Sequence, residues 1–265
     1  MNDAKINEVP CLLNLANKKG LIVGIANDQS IAYGCAKIMH AFGAELAVTY
    51  LNAKAEPHVR PLAERLGSSI ILPCDVERDG QLEKVFEEIA RRWGRLDFLV
   101  HAIAYAPQDC LHQRVVECEK ANFARAIDIS CHSFVRMARL AEPLMKNGGC
   151  LVTMSYYGAE KVIQNYKIMG PVKAALESFV RYWAAELGEK GIRVHVVSPG
   201  PVKTRAASGI PHFDALMEQS VLRAPQHHLV TVEDVGTVTA MLVSDGARSL
   251  TGNTTYVDAG YHVLG

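Results

Sequence analysis

The sequence predicts a doubly wound α/β fold, one parallel sheet of seven strands with helices on both faces. Three observations lead there. Apolar runs of strand length recur seven times, and segments with helical periodicity lie between them. No linker-like Pro/Gly/Ser stretch divides the 265 residues, of which 49% are hydrophobic, enough to fill one large core.

In chain order the strand-like runs are Leu21–Val23, Leu46–Tyr50, Ser69–Leu72, Leu96–Val100, Cys150–Met154, Arg193–Val197 and Thr254–Val257. Between the third and fourth, Leu82, Val85, Phe86, Ile89 and Trp93 recur on one face of a helix over 81–93. Between the fifth and sixth, Val172, Leu176, Phe179, Val180, Trp183 and Leu187 define a helix over 172–187. Pro171 suits its first turn, and Gly188 and Gly191 suit its end. Thr231-x-x-Asp234 reads as a helix start before Val235–Val243. Residues 1–17 read as a short polar extension and 18–265 as one domain.

Composition narrows the function classes. Lys plus Arg equals Asp plus Glu at 28 each with no basic block, so nucleic acid is not an expected partner. No apolar stretch approaches a membrane span. The seven cysteines are scattered, odd in number and without a C-x-x-C pair, which predicts reduced thiols and a cytoplasmic location. No H-E-x-x-H is present, and His227-His228 reads as a loop pair, so no metal is expected.

In a doubly wound sheet, ligands bind beyond the carboxyl ends of the strands. After the first strand stands Gly24-Ile-Ala-Asn-Asp-Gln-Ser30-Ile31, with one glycine where a dinucleotide fingerprint has three. Ser30 is placed to cap the following helix and to meet a pyrophosphate oxygen there. After the second comes Leu51-Asn52-Ala53-Lys54, with neither the acid that favours NAD nor the arginine that favours NADP. Lys54 is open to a 2′-phosphate or to solvent. NADH is the expected cofactor and NADPH the alternative. Asp75, in Cys74-Asp75-Val76, is placed either to accept from an adenine amino group or to cap a helix. Small residues in His101-Ala-Ile103-Ala-Tyr-Ala106-Pro107 let the backbone approach a cofactor or simply turn tightly.

Tyr166 and Lys173 are the chemically informative pair. A phenol can donate to an oxygen gaining negative charge, and an ammonium beside it supplies positive potential and grips ribose hydroxyls. Tyr156 adds a second phenol just past the fifth strand. On a helix, the spacing of 166 and 173 would separate the pair by about 10 Å of rise, so the side chains would have to lean together. Tyr157-Gly-Ala-Glu-Lys161 offers a shorter tyrosine–lysine spacing, but Gly158 disfavours an immediate helix there.

Together the segments GIANDQSIAYG, GAELAVTY, CDV, HAIAYAP, SYYGAEKVIQNYKIMGPVKAALE, GIRVHVVSPGPVKTRAASGI and TVEDVG resemble the bacterial enoyl-[acyl-carrier-protein] reductases of the FabI type, a divergent branch of the short-chain dehydrogenases. The resemblance runs from about Lys19 to Gly260. It implies a single Rossmann-type domain and reduction of trans-2-enoyl thioesters in fatty-acid elongation. Tyr156, Tyr166 and Lys173 would be catalytic, with Tyr166 stabilising the enolate. The cofactor would meet Gly24, Ser30, Ile31, Leu51, Asp75, Val76, Ile103, Lys173, Val202, Lys203, Thr204, Arg205 and Ala206. The substrate would meet Ala106, Tyr156, Tyr166, Met169 and Phe213. Residues 204–222 would form the substrate lid, with Ile210, Phe213, Leu216 and Met217 as candidates for an acyl tunnel. Family members are usually homotetramers.

The chain departs from that pattern at Leu51, often polar in the family, at Ala104, often glycine, and at Pro211-His-Phe-Asp-Ala215. The last carries Asp214 where the family often has the basic residues that meet acyl carrier protein. A coenzyme A thioester is therefore an alternative to the carrier-bound substrate. Two further readings stay open: a dehydrogenase acting on a carbonyl or alcohol, and a cofactor-binding sensor without turnover.

Overall fold

The computed structural model describes residues 13–205 and 207–264. Among them, seven strands form one parallel sheet in the order β3-β2-β1-β4-β5-β6-β7. These are β1 (Lys19–Val23), β2 (Glu45–Tyr50), β3 (Ile70–Pro73), β4 (Phe98–His101), β5 (Gly149–Met154), β6 (Ile192–Pro199) and β7 (Thr254–Val257). The helices are α1 (Ile31–Ala41), α2 (Glu56–Arg65), α3 (Gln81–Trp93), α4 (Gln108–His112), α5 (Lys120–Ile127), α6 (Ser133–Ala141), α7 (Met169–Leu187), α8 (Phe213–Arg223) and α9 (Val232–Val243). A π-helical turn at Asp128–His132 joins α5 to α6.

Side chains of the central strands alternate between two cores. Leu21 and Val23 of β1 join α3, α6 and α7 on one face, and Ile22 joins α1, α2 and α9 on the other. Gly20 is paired with Phe98 across β1 and β4, and a Cβ there would fall 2.0 Å from the Phe98 ring. The missing side chain is thus what lets a fully buried Phe98 lie flat on the first strand. Thr231 and Asp234 form the expected reciprocal cap, with Thr231 N donating at 2.8 Å and Asp234 N at 3.1 Å.

Three features differ from expectation. Leu15 is fully buried and its amide donates to Phe42 O at 2.9 Å, so the end of the expected extension packs on the domain. The remainder of that extension, residues 1–12, lies outside the described residues. Ser30 precedes α1 but does not cap it. Its hydroxyl accepts from the amides of Ala26 and Asn27, both at 3.0 Å, and so shapes the loop before the helix. Finally, Cys110 and Cys118 form a disulfide, against the expectation of reduced thiols throughout. The turn after α4 brings residues eight apart in sequence to a Cα separation of 5.4 Å, within the span a disulfide bridges. Cys35, Cys74, Cys131 and Cys150 are free and buried, and Cys11 lies outside the described residues. No helix among the described residues is long and apolar enough to cross a membrane.

Helices α1 and α9 cross at Gly34 and Gly236. A Cβ on Gly34 would sit 2.3 Å from Val232 O, and one on Gly236 2.6 Å from Gly34 O. Helix propensity favours alanine by about 1 kcal/mol. Forcing a methyl into backbone costs about 1–3 kcal/mol, because no side chain can rotate away. Gly34→Ala is therefore expected to lower the urea midpoint. An unchanged or raised midpoint would show that the helices slide apart without cost.

Candidate active site

A cleft of about 210 Å³ opens at the carboxyl ends of β1, β4, β5 and β6. At β1, Gly24 has φ 112°, and a Cβ there would lie 2.3 Å from Ala102 O. Only glycine lets these two strand ends approach so closely. At β4, the segment 102–106 lines the cleft, pinned by Ser130 from the π-helical turn. The Ser130 hydroxyl donates to Tyr105 O at 2.7 Å and accepts from Tyr105 N at 2.8 Å.

Under the site lies His101, fully buried. Ser133 Oγ spends its one proton on Ile129 O at 2.6 Å, so it must accept from His101 Nε2 at 2.9 Å. Nδ1 then accepts from Thr153 Oγ1 at 2.8 Å. Burial, reinforced by the Lys173 charge, drives this imidazole down to about 3, so it stays neutral. It is a structural strut joining β4, β5 and α6.

At β5, Tyr156 and Tyr166 meet edge to face with ring centroids 4.8 Å apart. Tyr166 precedes α7, between Asn165 (φ 65°) and Lys167 (φ 51°), both left-handed. The tyrosine thus sits on a turn outside the helix that carries Lys173, so the rise of a continuous helix does not apply to the pair. Both line the cleft. Burial raises both phenols well above the usual tyrosine range. Tyr156 Oη is buried and has no hydrogen-bond partner among the described residues.

Lys173 is 4% exposed and its Nζ donates to Met154 O at 2.7 Å. Burial lowers its pKa to about 8. One hydrogen bond leaves this ammonium with two further protons to donate into the cleft. One turn along α7, the half-buried Glu177 accepts from Ser155 Oγ at 2.5 Å, tying the end of β5 to the helix that carries Lys173. Glu177 was not singled out from sequence. Its position four residues after Lys173 was the available signal.

Gly158 keeps Tyr166 in place. A Cβ there would fall 2.4 Å from Tyr166 Cδ1. Gly158→Ala is expected to push the ring out of position and cut kcat by about tenfold to a hundredfold. Near-unaltered kcat would show that the ring position is not set here.

Val202, Thr204 and Arg205 continue the cleft wall after β6, and Thr204 Oγ1 accepts from Ala207 N at 3.2 Å. Ile210, Phe213 and Leu216 line its apolar end with Leu111 and Met169, whereas Met217 is not part of the lining.

Of the residues expected at a cofactor, Gly24, Ser30, Ile31, Ile103, Lys173, Val202, Thr204 and Arg205 line the cleft. Those expected at a substrate, Ala106, Tyr156, Tyr166, Met169 and Phe213, line it too. Leu51 is instead 53% exposed past β2. Asp75 accepts from Glu77 N at 3.0 Å, closing a turn and not capping α3, whose N-cap is Gly80. Val76 is buried in the core. Lys203 is exposed and lies 3.8 Å from Asp214. Ala206 lies outside the described residues. The competing shorter-spaced pair does not converge: Tyr157 is buried against Tyr256 and Tyr261, and Lys161 is exposed.

The residues present fit a nicotinamide dinucleotide. The cleft combines a glycine-bounded strand end, spare ammonium protons on Lys173 and an unpartnered buried phenol.

A family model described as enoyl-(acyl carrier protein) reductase matches residues 24–262. The enoyl-[acyl-carrier-protein] reductase [NADH] 1 of Rhizobium meliloti (strain 1021) is 44% identical over 248 residues, covering 94% of this chain and 91% of that protein. The FabI enzyme of Aquifex aeolicus (strain VF5) is 44% identical, covering 95% and 93%. A crystal structure of the Anaplasma phagocytophilum reductase in complex with NAD superposes with a TM-score of 0.92 at 46% identity, covering 96% of this chain and 97% of that one.

Proposed function

The chain belongs to the enoyl-(acyl carrier protein) reductase family, and from that premise we propose that it reduces the trans-2 double bond of enoyl thioesters with NADH during fatty-acid synthesis. The observation that carries this reading is the convergence of Tyr166 and the buried Lys173 on one cleft at the strand ends.

Bound NADH supplies the hydride that reaches the β-carbon. Tyr166 holds its proton, because burial makes the phenolate costly, and donates a hydrogen bond to the thioester oxygen as negative charge builds there. That bond strengthens on the way to the enolate, so it favours the transition state over the ground state. Lys173 would hold the nicotinamide ribose and keep positive potential beside the oxygen. Tyr156 packs edge-on against Tyr166 and offers its unpartnered hydroxyl to the thioester end. The apolar wall of Met169, Ile210, Phe213 and Leu216 takes the acyl chain. Leu51, Asp75 and Val76, at and after the ends of β2 and β3, would meet the adenosine half, and Lys203 would meet the cofactor beyond β6.

The substrate is carried on acyl carrier protein, with coenzyme A as the alternative thioester, and the protein acts in the cytoplasm as a homotetramer. Exposed Phe179 and Tyr182 on α7 supply an apolar face for subunit contact.

Crotonyl and longer enoyl thioesters on both carriers, set against a β-ketoacyl thioester, test the reading with NADH and with NADPH. NADH oxidation with the enoyl substrates alone is expected. Oxidation with the β-ketoacyl thioester alone would make the protein a carbonyl dehydrogenase. Binding of NADH without turnover on any substrate would make it a sensor.

A further inference from the structure

We propose that Cys110 and Cys118 are a reversible redox modification site, worked by a small thiol–disulfide couple such as glutathione, that sets how freely the acyl wall of the cleft can move.

The pair is separated from the other described cysteines by its mutual proximity and by the partial exposure of Cys118. Cys35, Cys74, Cys131 and Cys150 are buried and free, and burial raises their thiols to about 12, about 12, about 11 and about 11. Thiols held protonated inside a core do not exchange readily. Cys110 and Cys118 are already positioned for one another, at a Cα separation of 5.4 Å. Cys110 is 1% exposed, while Cys118 is half-buried on an otherwise exposed turn. An external reagent therefore reaches Cys118 first.

The chemistry balances without a further reactant. The Cys118 thiolate attacks one sulfur of the small disulfide, whose S–S bond breaks and releases one thiolate. The Cys110 thiolate then attacks the Cys118 sulfur, the mixed disulfide breaks, and the second small thiolate leaves. Two protein thiols lose two electrons and two protons, and the small disulfide becomes two thiols. Reduction runs the same steps backwards. Helix α4 has only five residues, so local opening suffices to expose Cys110.

Position links this chemistry to the cleft. Leu111 follows Cys110 directly and lines the apolar wall. It also faces the lid, since a Cβ on Gly209 would meet Leu111 Cδ1 at 3.7 Å. Cys110 belongs to the core cluster against which Cys118, Leu111, Ile210 and Leu216 pack. Crosslinking ties α4 to the turn at Val115–Glu117 and limits how far Leu111 can withdraw when an acyl chain enters. This last step rests on the enoyl-thioester reading, whereas the crosslink itself does not.

The protein with Cys11→Ser is equilibrated in glutathione buffers of graded potential, then alkylated and mapped by mass. Expected are loss of two hydrogens, a 110–118 crosslink, and its reversal by excess glutathione. Both thiols remaining alkylatable in the most oxidising buffer would overturn the site. Amide exchange across 107–118 and 204–222 is expected to slow in the crosslinked state, and equal rates would overturn the gating. KM for a long-chain enoyl thioester is expected to rise at least about threefold on oxidation, with KM for NADH unchanged. Cys118→Ser should abolish every response to the buffer. Slowed exchange with no turnover in either state would count against the enoyl reading and leave the redox site standing.

Discussion

Lys173→Met is expected to abolish turnover and, at the same time, to make the free protein more stable. The ammonium is 4% exposed, and burial holds its pKa at about 8 against an ordinary 10.5. Keeping it charged at neutral pH costs the fold about 3 kcal/mol. Methionine has similar length and carries no such cost. Losing the donor to Met154 O returns about 1 kcal/mol of that gain. The net gain is about 2 kcal/mol, or a few degrees in melting temperature. The sign with pH follows from linkage. Between about pH 8 and 10.5 the unfolded chain binds the proton that the folded lysine has lost, so wild-type stability rises through that window. The advantage of the methionine variant is therefore fullest below about pH 8 and fades toward pH 10.5. Wild-type kcat/KM should fall above about pH 8 as Lys173 loses its charge. Thermal melts at pH 6.5 and 10 without cofactor, beside NADH oxidation, check both halves. A variant that melts lower at pH 6.5, or that still turns over, would show that Lys173 has been misread.

Tyr166→Phe carries the second large effect. It removes one hydroxyl and leaves the ring, its edge contact with Tyr156 and its seat on Gly158. If the hydroxyl donates to the developing enolate, kcat should fall by about 10²–10³-fold with NADH affinity unchanged, the range seen when one donor to an oxyanion is deleted. Tyr156→Phe should cost much less and should not destabilise the fold, because the Tyr156 hydroxyl is already buried without a partner. Steady-state kinetics with a NADH-binding titration separate the two tyrosines. A Tyr166→Phe enzyme retaining half its kcat would move the donor role elsewhere.

The sheet was legible because each strand is a short apolar run whose neighbours in space are covered by helices of clear period. Leu82, Val85, Phe86 and Ile89 all reach the core as their spacing predicts. Site details depending on turns were less legible. Ser30 has the right type and place for a cap, yet its hydroxyl turns back to Ala26 and Asn27, a choice made by loop geometry. How Tyr166 comes to face the same cleft as Lys173 was not legible, because two left-handed residues flank the tyrosine in a turn before α7 and neither Asn165 nor Lys167 signals it. Glu177 looked like one more helix acid, and only the fold brings Ser155 to it. The pairing of Cys110 with Cys118 follows a turn that no spacing rule announces.

The strand order has a consequence for biogenesis. β1, near the start of the chain, must wait for β4, with Gly20 pairing to Phe98. The pocket is completed only by β6 and the segment behind it. During synthesis, a nascent chain can pair β1 with β2 early but leaves the other edge of β1 open until β4 has left the ribosome. Dinucleotide cannot rescue such an intermediate, since the residues that would embrace it are not yet made. Chaperone dependence should accordingly end only when translation does.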